Sequence, residues 1–178
     1  MSTKESLGRT ILGYLEIVVF AFILSWGLRS VVVEASVIPT PSMLPTIQLQ
    51  DRVIVDKLLF KLSEIERGDI IVFHPLREVD DSGVPWIKRI IGLPGEKVEI
   101  KGGKVIINGI ELDEPYELEK PDYSIKQIIV PENSYFVLGD NRNNSNDSHR
   151  WGALPAENII GKASLRYWPL DRFGYLAK

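Results

Sequence analysis

From residue 35 onward the chain is a series of short β-rich segments separated by turn residues, and this pattern constrains its fold most. The segments contain many β-branched and aromatic residues and have the usual length of strands. They cover residues 52–57, 69–73, 86–92, 97–100, 104–109, 126–130, 135–140 and 163–168. No stretch after residue 35 has the period of an amphipathic helix, apart from one possible helical turn at 63–67. The sequence therefore predicts a mainly β body, a folded antiparallel sheet or a partly closed β-barrel.

Two hairpins in the middle of the chain divide this body. Gly102-Gly103 and Asn108-Gly109 have the composition of two-residue hairpin turns. A polar, proline-containing stretch, "DEPYELEKPDYS", follows them. Residues 97–127 are accordingly predicted to be a small hairpin subdomain inserted into a β core of residues 34–96 and 128–170, the other interpretation being a long surface loop.

An apolar run precedes the β body. Residues 11–28, "ILGYLEIVVFAFILSWGL", carry one charge, Glu16, and their number is near the lower limit for crossing a bilayer. A transmembrane anchor over residues 11–30 is the preferred interpretation, with residues 1–10 in the cytoplasm because Lys4 and Arg9 precede the run. A cleavable signal peptide ending in "VEA" at residues 33–35 and a buried core helix are the alternatives.

Composition excludes several classes of site and partner. The chain has 178 residues, no cysteine, two histidines and a net charge of -3. Without cysteine there is no disulfide, zinc–thiolate site or cysteine nucleophile. With two histidines, a histidine-rich metal site is excluded as well, and neither a metal nor another cofactor is expected. The absence of a long basic block argues against a nucleic-acid partner.

The stretch "IPTPSMLPT", residues 38–46, contains a candidate nucleophile, Ser42. Pro39, Pro41 and Pro45 each fix their own φ angle and restrict the preceding residue. A backbone stiffened in this way can hold a hydroxyl in one place and so lower the entropic cost of reaction. The alternative is a rigid linker that holds the domain away from the membrane.

A serine nucleophile needs a base, and the sequence offers two. His149 lies two residues after Asp147, so a Ser-His-Asp arrangement is possible, whereas His74 precedes a proline and is interpreted as a loop residue. Lys88 lies among apolar residues in "VPWIKRIIGLPGE". If its face of the strand is the inner one, burial lowers the pKa of the amine and allows it to take a proton. Alternation alone does not decide whether Lys88 or Arg89 is buried.

A third polar segment is "GDNRNNSNDSHRWG", residues 139–152. Asp140, Arg142 and Asp147 are expected to form charge-assisted pairs that fold this loop on itself.

Together these three stretches resemble the type I signal peptidases, membrane-bound Ser/Lys proteases. The similarity runs from about residue 37 to residue 168, interrupted by the hairpin region, and the order of the blocks also matches. The resemblance implies that Ser42 is the nucleophile and Lys88 the general base, with an oxyanion hole made by the Thr40 hydroxyl and the Ser42 backbone N–H. Family members often have serine at the position of Thr40.

Further roles follow from the same resemblance. Ser145 corresponds to a serine that orients the base lysine, and Asp140, Arg142 and Asp147 to a supporting network. Several relatives have arginine where this chain has His149. Small residues before the cleaved bond imply shallow apolar pockets, for which the resemblance suggests four residues: Ile38, Met43, Ile47 and Ile87.

The resemblance also implies an activity and a location. The expected reaction is removal of signal peptides from exported preproteins through an acyl-enzyme, without metal or cofactor. The expected partners are signal-peptide-bearing preproteins and the lipid bilayer. The expected location is the cell membrane, or another energy-transducing membrane, with the catalytic domain on the extracytoplasmic face. Three other functions stay open at this stage: a self-cleaving Ser/Lys protein of the related fold, a hydrolase that uses His149, and a membrane-anchored adaptor without catalysis.

Overall fold

The structure is a computed structural model that describes residues 13–22, 25 and 33–176. Its strands are β1 (Val33–Val37), β2 (Arg52–Asp56), β3 (Ile70–Phe73), β4 (Trp86–Gly92), β5 (Lys97–Lys101), β6 (Lys104–Ile107), β7 (Ile110–Glu111), β8 (Ile125–Ile129), β9 (Ser134–Leu138), β10 (Leu154–Pro155), β11 (Ile159–Trp168) and β12 (Gly174–Tyr175). The chain is therefore mainly β, as the sequence predicts.

Helices are few and short in the part of the chain that is described. Residues 13–22 are helical, and a four-residue α-helix covers Ser148–Trp151. Single turns of 3₁₀ helix cover Pro41–Met43, Leu59–Leu62, Arg142–Asn144, Ala156–Asn158 and Leu170–Arg172. The turn expected at 63–67 is replaced by the 3₁₀ turn immediately before it. Within residues 13–22, 25 and 33–176, no helix has the length and apolar character needed to cross a membrane. Much of the predicted anchor, residues 11–30, lies outside the described residues.

The larger sheet is antiparallel throughout and has the strand order β1-β2-β11-β3-β4-β9-β10, with β12 added to β11. Its two ends, β1 and β10, do not pair with each other among the described strands, so this sheet is open rather than closed into a barrel. Strand β1 was not among the strands predicted from the sequence, although the predicted β core began at residue 34.

The region predicted as a hairpin subdomain folds into a second, four-stranded sheet in the order β7-β6-β5-β8. Its two tight turns occur at the predicted positions. Gly102, Gly103, Asn108 and Gly109 all have positive φ angles, between 52° and 85°, as a type I′ turn requires at both central residues.

Three apolar clusters stabilise the two sheets. One, which includes Ile38, Met43 and Ile87, packs on the face of the larger sheet that carries the 3₁₀ turn at Pro41–Met43. A second, with Phe73 and Ile90, covers the opposite face. The third lies between the second sheet and the end of β9. Strand β4 contributes to all three clusters, so six of its seven residues are buried.

Candidate active site

Ser42 lies in the middle of the 3₁₀ turn Pro41–Met43, directly after the chain leaves β1. Thr40 is extended at the start of the turn, and Pro41 takes the first helical position, where a proline costs no hydrogen bond. Met43 is fully buried in the apolar cluster beneath and accepts a hydrogen bond from the backbone N–H of Ile47 through its carbonyl oxygen, at 2.8 Å. The turn is thus tied to the core on one side, while Ser42 stays at the edge of a cleft with 6% of its surface exposed.

Lys88 projects from β4 towards this serine. Its Nζ donates to the Oγ of Ser42 at 2.7 Å and to the carbonyl oxygen of Ile87 at 2.9 Å. The Nζ also lies 5.7 Å from the centre of the Trp86 ring. Sequence reasoning left open whether Lys88 or Arg89 is buried, and the structure buries both, with 4% and 0% of their surfaces exposed.

The surroundings of Lys88 favour the neutral amine. Burial lowers the pKa of Lys88 from 10.5 to about 8, and this desolvation outweighs the opposing attraction of Asp147 and Asp140. An amine with such a pKa is neutral in a useful fraction of molecules near neutral pH. It can then accept the hydroxyl proton of Ser42, which lies within hydrogen-bond reach.

The loop after β9 is hydrogen-bonded to the backbone of residues 38–46, the serine segment. The backbone N–H of Asn141 donates to the carbonyl oxygen of Ser42 at 3.1 Å, and its side-chain amide donates to the carbonyl oxygen of Pro41 at 3.2 Å. Gly139 lies so close to the Ser42 carbonyl oxygen and the Ser145 side chain that a Cβ atom there would clash with both. The absence of a side chain at Gly139 therefore allows the two loops to meet.

A second connection runs from the residue after Lys88. The Arg89 guanidinium forms two hydrogen bonds with the Asp140 carboxylate, from Nε at 2.8 Å and from Nη2 at 2.7 Å, and neither side chain has exposed surface. Asp140 also accepts a hydrogen bond from the Thr46 hydroxyl at 2.5 Å. Asp140 thus connects β4, the strand that carries Lys88, to Thr46 at the end of the serine segment.

The expectation that Asp140, Arg142 and Asp147 pair within their own loop is wrong for the carboxylate of Asp140 and the guanidinium of Arg142, whose ion pairs reach outside the loop. Arg142 instead forms a bidentate pair with Glu114, from the segment between β7 and β8, at 2.7 and 2.8 Å. Burial alone would lower the pKa of Arg142, but its bonds to Glu114 raise it. Asp147 accepts from the backbone N–H of Gly139 at 3.0 Å. Arg142 therefore connects the loop to the segment between β7 and β8, whereas Asp147 folds the loop on itself.

Ser145 is buried, yet its Oγ has no hydrogen-bond partner among the described residues. The expected hydrogen bond from Ser145 to Lys88 is therefore not formed in this structure. The Thr40 hydroxyl lies 3.4 Å from the Ser42 Oγ, on the rim of the same cleft.

The cleft beside Ser42 and Lys88 has a volume of about 360 Å³. Its walls are mostly apolar. The lining residues are Val37, Ile38, Pro39, Thr40, Pro41, Ser42, Val72, Asp80, Val84, Pro85, Trp86, Ile87, Lys88, Asn144 and Asn146. Two of the four predicted pocket residues, Ile38 and Ile87, are in this wall. The other two, Met43 and Ile47, lie fully buried in the core behind it and do not line the cleft.

His149 is engaged elsewhere. Its Nδ1 lies 2.6 Å from the Asp147 carboxylate, its Nε2 accepts from Arg150 at 3.1 Å, and its ring stacks on Tyr123 with centroids 4.1 Å apart. His149 is not among the residues that line the cleft, whereas Lys88 is the basic side chain that bonds to the Ser42 hydroxyl. Among the described residues, no three histidine and carboxylate side chains are grouped as a metal site.

Sequence reasoning missed several residues of this arrangement. Arg89 was considered only as the alternative to Lys88 for burial, and its pairing with Asp140 was not predicted. Thr46 and Asn141 lie inside the recognised blocks but have no distinctive spacing. Glu114 and Tyr116, whose ring centroid lies 3.8 Å from the Arg89 guanidinium, come from the hairpin region, where no local pattern points to them.

Comparison with known proteins places this site in context. A family described as "Signal peptidase, peptidase S26" matches residues 11–168. The chain is 51% identical over 158 residues to signal peptidase I of Leptolyngbya laminosa, covering 86% of this chain and 78% of that protein. It is 47% identical over 177 residues to the probable signal peptidase I-2 of Synechocystis sp. (strain PCC 6803), covering 98% and 78%.

A solved structure of a signal peptidase I from Enterococcus faecalis V583 is similar at 33% identity and a TM-score of 0.48. That similarity covers 56% of this chain and 97% of the other.

Proposed function

Because the chain belongs to the signal peptidase family, peptidase S26, we propose that its signal-peptide-removing activity is carried by Ser42 as nucleophile and Lys88 as general base. The enzyme is a serine endopeptidase whose substrates are preproteins. The observation that supports the two assignments most strongly is the 2.7 Å hydrogen bond between the Lys88 Nζ and the Ser42 Oγ, formed where both side chains are almost fully buried.

In the first half of the reaction, neutral Lys88 takes the hydroxyl proton while the Ser42 Oγ attacks the scissile carbonyl carbon. Protonated Lys88 then gives this proton to the leaving nitrogen as the peptide bond breaks, which leaves an ester between Ser42 and the signal peptide. In the second half, the same amine removes a proton from water, and water attacks the ester. The Ser42 oxygen then recovers a proton, so that each cycle restores the starting state.

The charge that develops on the carbonyl oxygen needs donors that are already in place. The Ser42 backbone N–H and the Thr40 hydroxyl fill this role in the proposal. Thr40 is supported by its position, since its Oγ1 lies 3.4 Å from the attacking oxygen. Threonine has a branched Cβ, so its hydroxyl has fewer rotamers than that of serine and is held more firmly once it is aligned.

Positioning of the base is proposed to depend on Ser145, Asp140, Arg142 and Asp147. Asp140 and Asp147 act on Lys88 through their charges, which favour its protonated form after it has taken the proton. Arg142 holds the carbonyl oxygen of Gly139 at 3.0 Å and so supports the loop against which Ser42 packs. Ser145 is proposed to bond to Lys88 once the amine turns towards it during the reaction, which is supported by a Ser145 hydroxyl that has no hydrogen-bond partner among the described residues.

The apolar wall formed by Ile38 and Ile87 is proposed to receive the small side chains that precede the cleaved bond. Ile38 is 2% exposed and Ile87 is 5% exposed, so neither side chain projects far into the cleft. Such a shallow surface favours small residues, since a large side chain would have to displace packed core atoms. Met43 and Ile47 act indirectly, by packing behind this apolar wall.

The proposed membrane anchor is residues 11–30, with residues 1–10 in the cytoplasm and the catalytic β core, residues 34–96 and 128–170, on the extracytoplasmic face. Residues 97–127 are proposed as an inserted subdomain. Support for the anchor comes from the described helical residues 13–22, whose large apolar side chains are all exposed. A tethered enzyme and a tethered substrate share one plane, which raises their effective concentration.

The cleft is proposed to lie close to the bilayer surface. Val37, on the cleft rim, pairs with Arg52, and Arg52 pairs with Trp168 at the same end of the sheet. Trp168 and the neighbouring Leu170 and Phe173 are exposed. Apolar and aromatic side chains grouped in this way are typical of surfaces that contact the membrane interface.

The test is cleavage of a preprotein by the purified full-length chain in detergent or lipid vesicles, with the new N-terminus identified by mass spectrometry. The proposal predicts a cut after a small residue, and no cut with Ser42→Ala or Lys88→Ala. Ser63→Ala is the matched control, because Ser63 is an exposed serine whose hydroxyl bonds to a backbone carbonyl far from the cleft. Cleavage by folded Ser42→Ala would show that another group is the nucleophile.

A further inference from the structure

One charged side chain of the cleft has no part in the chemistry described above. Two ionisable side chains are found among the described residues that line the cleft, Lys88 and Asp80. Asp80 belongs to residues 74–85, the connection that leads from β3 into β4, and this segment forms one wall of the cleft with Val84 and Pro85. A substrate strand that reaches Ser42 therefore passes a carboxylate in an otherwise apolar wall.

The carboxylate of Asp80 is held in place. Its Oδ1 accepts from the backbone N–H of Ser82 at 2.9 Å, and its Oδ2 accepts from the indole N–H of Trp86 at 3.1 Å. The bonds to Ser82 lower the pKa of Asp80, with a smaller contribution from Trp86, so the group stays ionised through the pH range in which Lys88 titrates. A fixed charge of this kind acts on a ligand without first having to be ordered.

The location adds to its effect on a bound peptide. Trp86 lies between Asp80, to which its indole bonds, and Lys88, whose Nζ lies 5.7 Å from its ring. The walls around Asp80 are apolar, and a cleft lined in this way focuses the field of a charge on its rim. A substrate side chain beside Asp80 is thus stabilised if it is basic and destabilised if it is acidic.

We propose that Asp80 is a specificity-determining residue of the cleft, which selects preproteins carrying a basic side chain, lysine or arginine, near the cleaved bond and disfavours those carrying an acidic one at the same position. This proposal rests on the proposed function, since it assumes that the cleft beside Ser42 and Lys88 receives the substrate. It concerns a charge-selective contact and is separate from the apolar surface of Ile38 and Ile87 that accepts small residues.

The experiment compares matched substrates. One preprotein is prepared in sets of three that differ by alanine, lysine or glutamate at a single position, and the set is repeated for each position from six residues before the cleaved bond to three after it. The ratio of kcat/KM for the lysine and glutamate substrates is measured with the wild-type enzyme. At the position that faces Asp80 we expect a ratio of about 10 at low ionic strength, falling as salt is added.

Asp80→Asn is the diagnostic variant, because asparagine has nearly the same shape and removes the charge, while its single side-chain oxygen can keep one of the two hydrogen bonds, from Ser82 or from Trp86. The ratio is expected to fall to about 1 in this variant. The matched control is Asp81→Asn, which removes an exposed carboxylate from the next residue, outside the residues that line the cleft, and should leave the ratio unchanged.

Three results would overturn the proposal. The first is a wild-type enzyme without a preference for lysine over glutamate at any position. The second is an Asp80→Asn variant that cleaves all substrates more slowly by the same factor, with an unchanged ratio. The third is an Asp81→Asn variant that alters the ratio as much as Asp80→Asn does. The second result would make Asp80 only a support for Trp86. Ser42-dependent cleavage of the alanine substrates is tested in the same series, so a failure of the proposed function would be recognised separately.

Discussion

Replacing Lys88 by methionine should abolish cleavage and yet make the folded protein more stable at neutral pH. The unfolded chain returns the amine to its ordinary pKa of 10.5, whereas burial lowers it to about 8 in the folded state. Between these two values the unfolded chain binds more protons. Wild-type stability therefore rises with pH from about 8 to 10.5, and the full penalty of the buried charge is present below pH 8.

The size of the effect follows from the same two values. The interval between them corresponds to about 3 kcal/mol at pH 7, since each pKa unit is worth about 1.4 kcal/mol. Methionine has similar length and no charge but loses the hydrogen bonds to Ser42 and Ile87, which costs about 1–2 kcal/mol. The expected net gain for Lys88→Met is about 1–2 kcal/mol at pH 7.

The assay is urea-induced unfolding of wild type and variant at pH 7 and pH 9.5, in the same detergent. The stability advantage of Lys88→Met should shrink as the pH rises, and it should reverse sign at about pH 9 to 10, where the remaining burial penalty equals the cost of the lost hydrogen bonds. Lys97→Met serves as the control, because Lys97 is exposed on β5 and its replacement should give a difference that does not change with pH. If Lys88→Met were less stable than wild type by the same amount at both pH values, the amine would not carry a burial penalty, and the reasoning would be refuted.

Three further outcomes are expected. First, kcat/KM should fall about tenfold per pH unit below pH 8 and level off above it, as Lys88 is protonated, and a pH–rate profile without this acidic limb would contradict its role. Second, Gly139→Ala should cost about 1–3 kcal/mol of unfolding free energy and most of the activity, because the new Cβ meets the carbonyl oxygen of Ser42. Gly174→Ala should be tolerated in both assays, because a Cβ there has no neighbour within 4 Å among the described residues. Third, Asp140→Asn should lower stability by about 3–5 kcal/mol in a denaturant titration, because it removes the carboxylate partner of the fully buried Arg89, and a loss below 1 kcal/mol would mean that this pair is unimportant.

Much of the β structure could be predicted because its signals are local. Gly102-Gly103 and Asn108-Gly109 specify tight turns through their own backbone preferences, and the flanking β-branched residues then pair. Strand β4 was predicted with its observed bounds, since an apolar run between turn residues is sufficient for a central strand. Strand β1 was missed because its sequence, VEASV, has only two β-branched residues and no aromatic one, and pairing with β2 defines it as a strand.

The site was less predictable where its contacts join distant parts of the chain. Ser42 and Lys88 occur in distinctive local stretches, so both could be chosen as candidates. The partner of Arg142 could not be chosen, because Glu114 is one acid among several in a polar stretch and only the packing of the second sheet brings it close. The faces of β4 were equally undetermined, since a strand buried on both sides removes the alternation that distinguishes an inner from an outer residue.

The most direct test of the Ser42–Lys88 assignment is the initial rate of preprotein cleavage by Lys88→Arg beside His149→Gln, both confirmed to be folded. Arginine keeps the positive charge but does not become neutral at these pH values, so it cannot act as a base. A lysine base predicts that Lys88→Arg loses a factor of about 10² to 10⁴ or more in kcat. His149→Gln is predicted to stay within about threefold of wild type at neutral pH, because the histidine lies outside the cleft. The opposite pattern, an active Lys88→Arg and an inactive His149→Gln, would contradict the Ser/Lys mechanism and favour a histidine-dependent hydrolase.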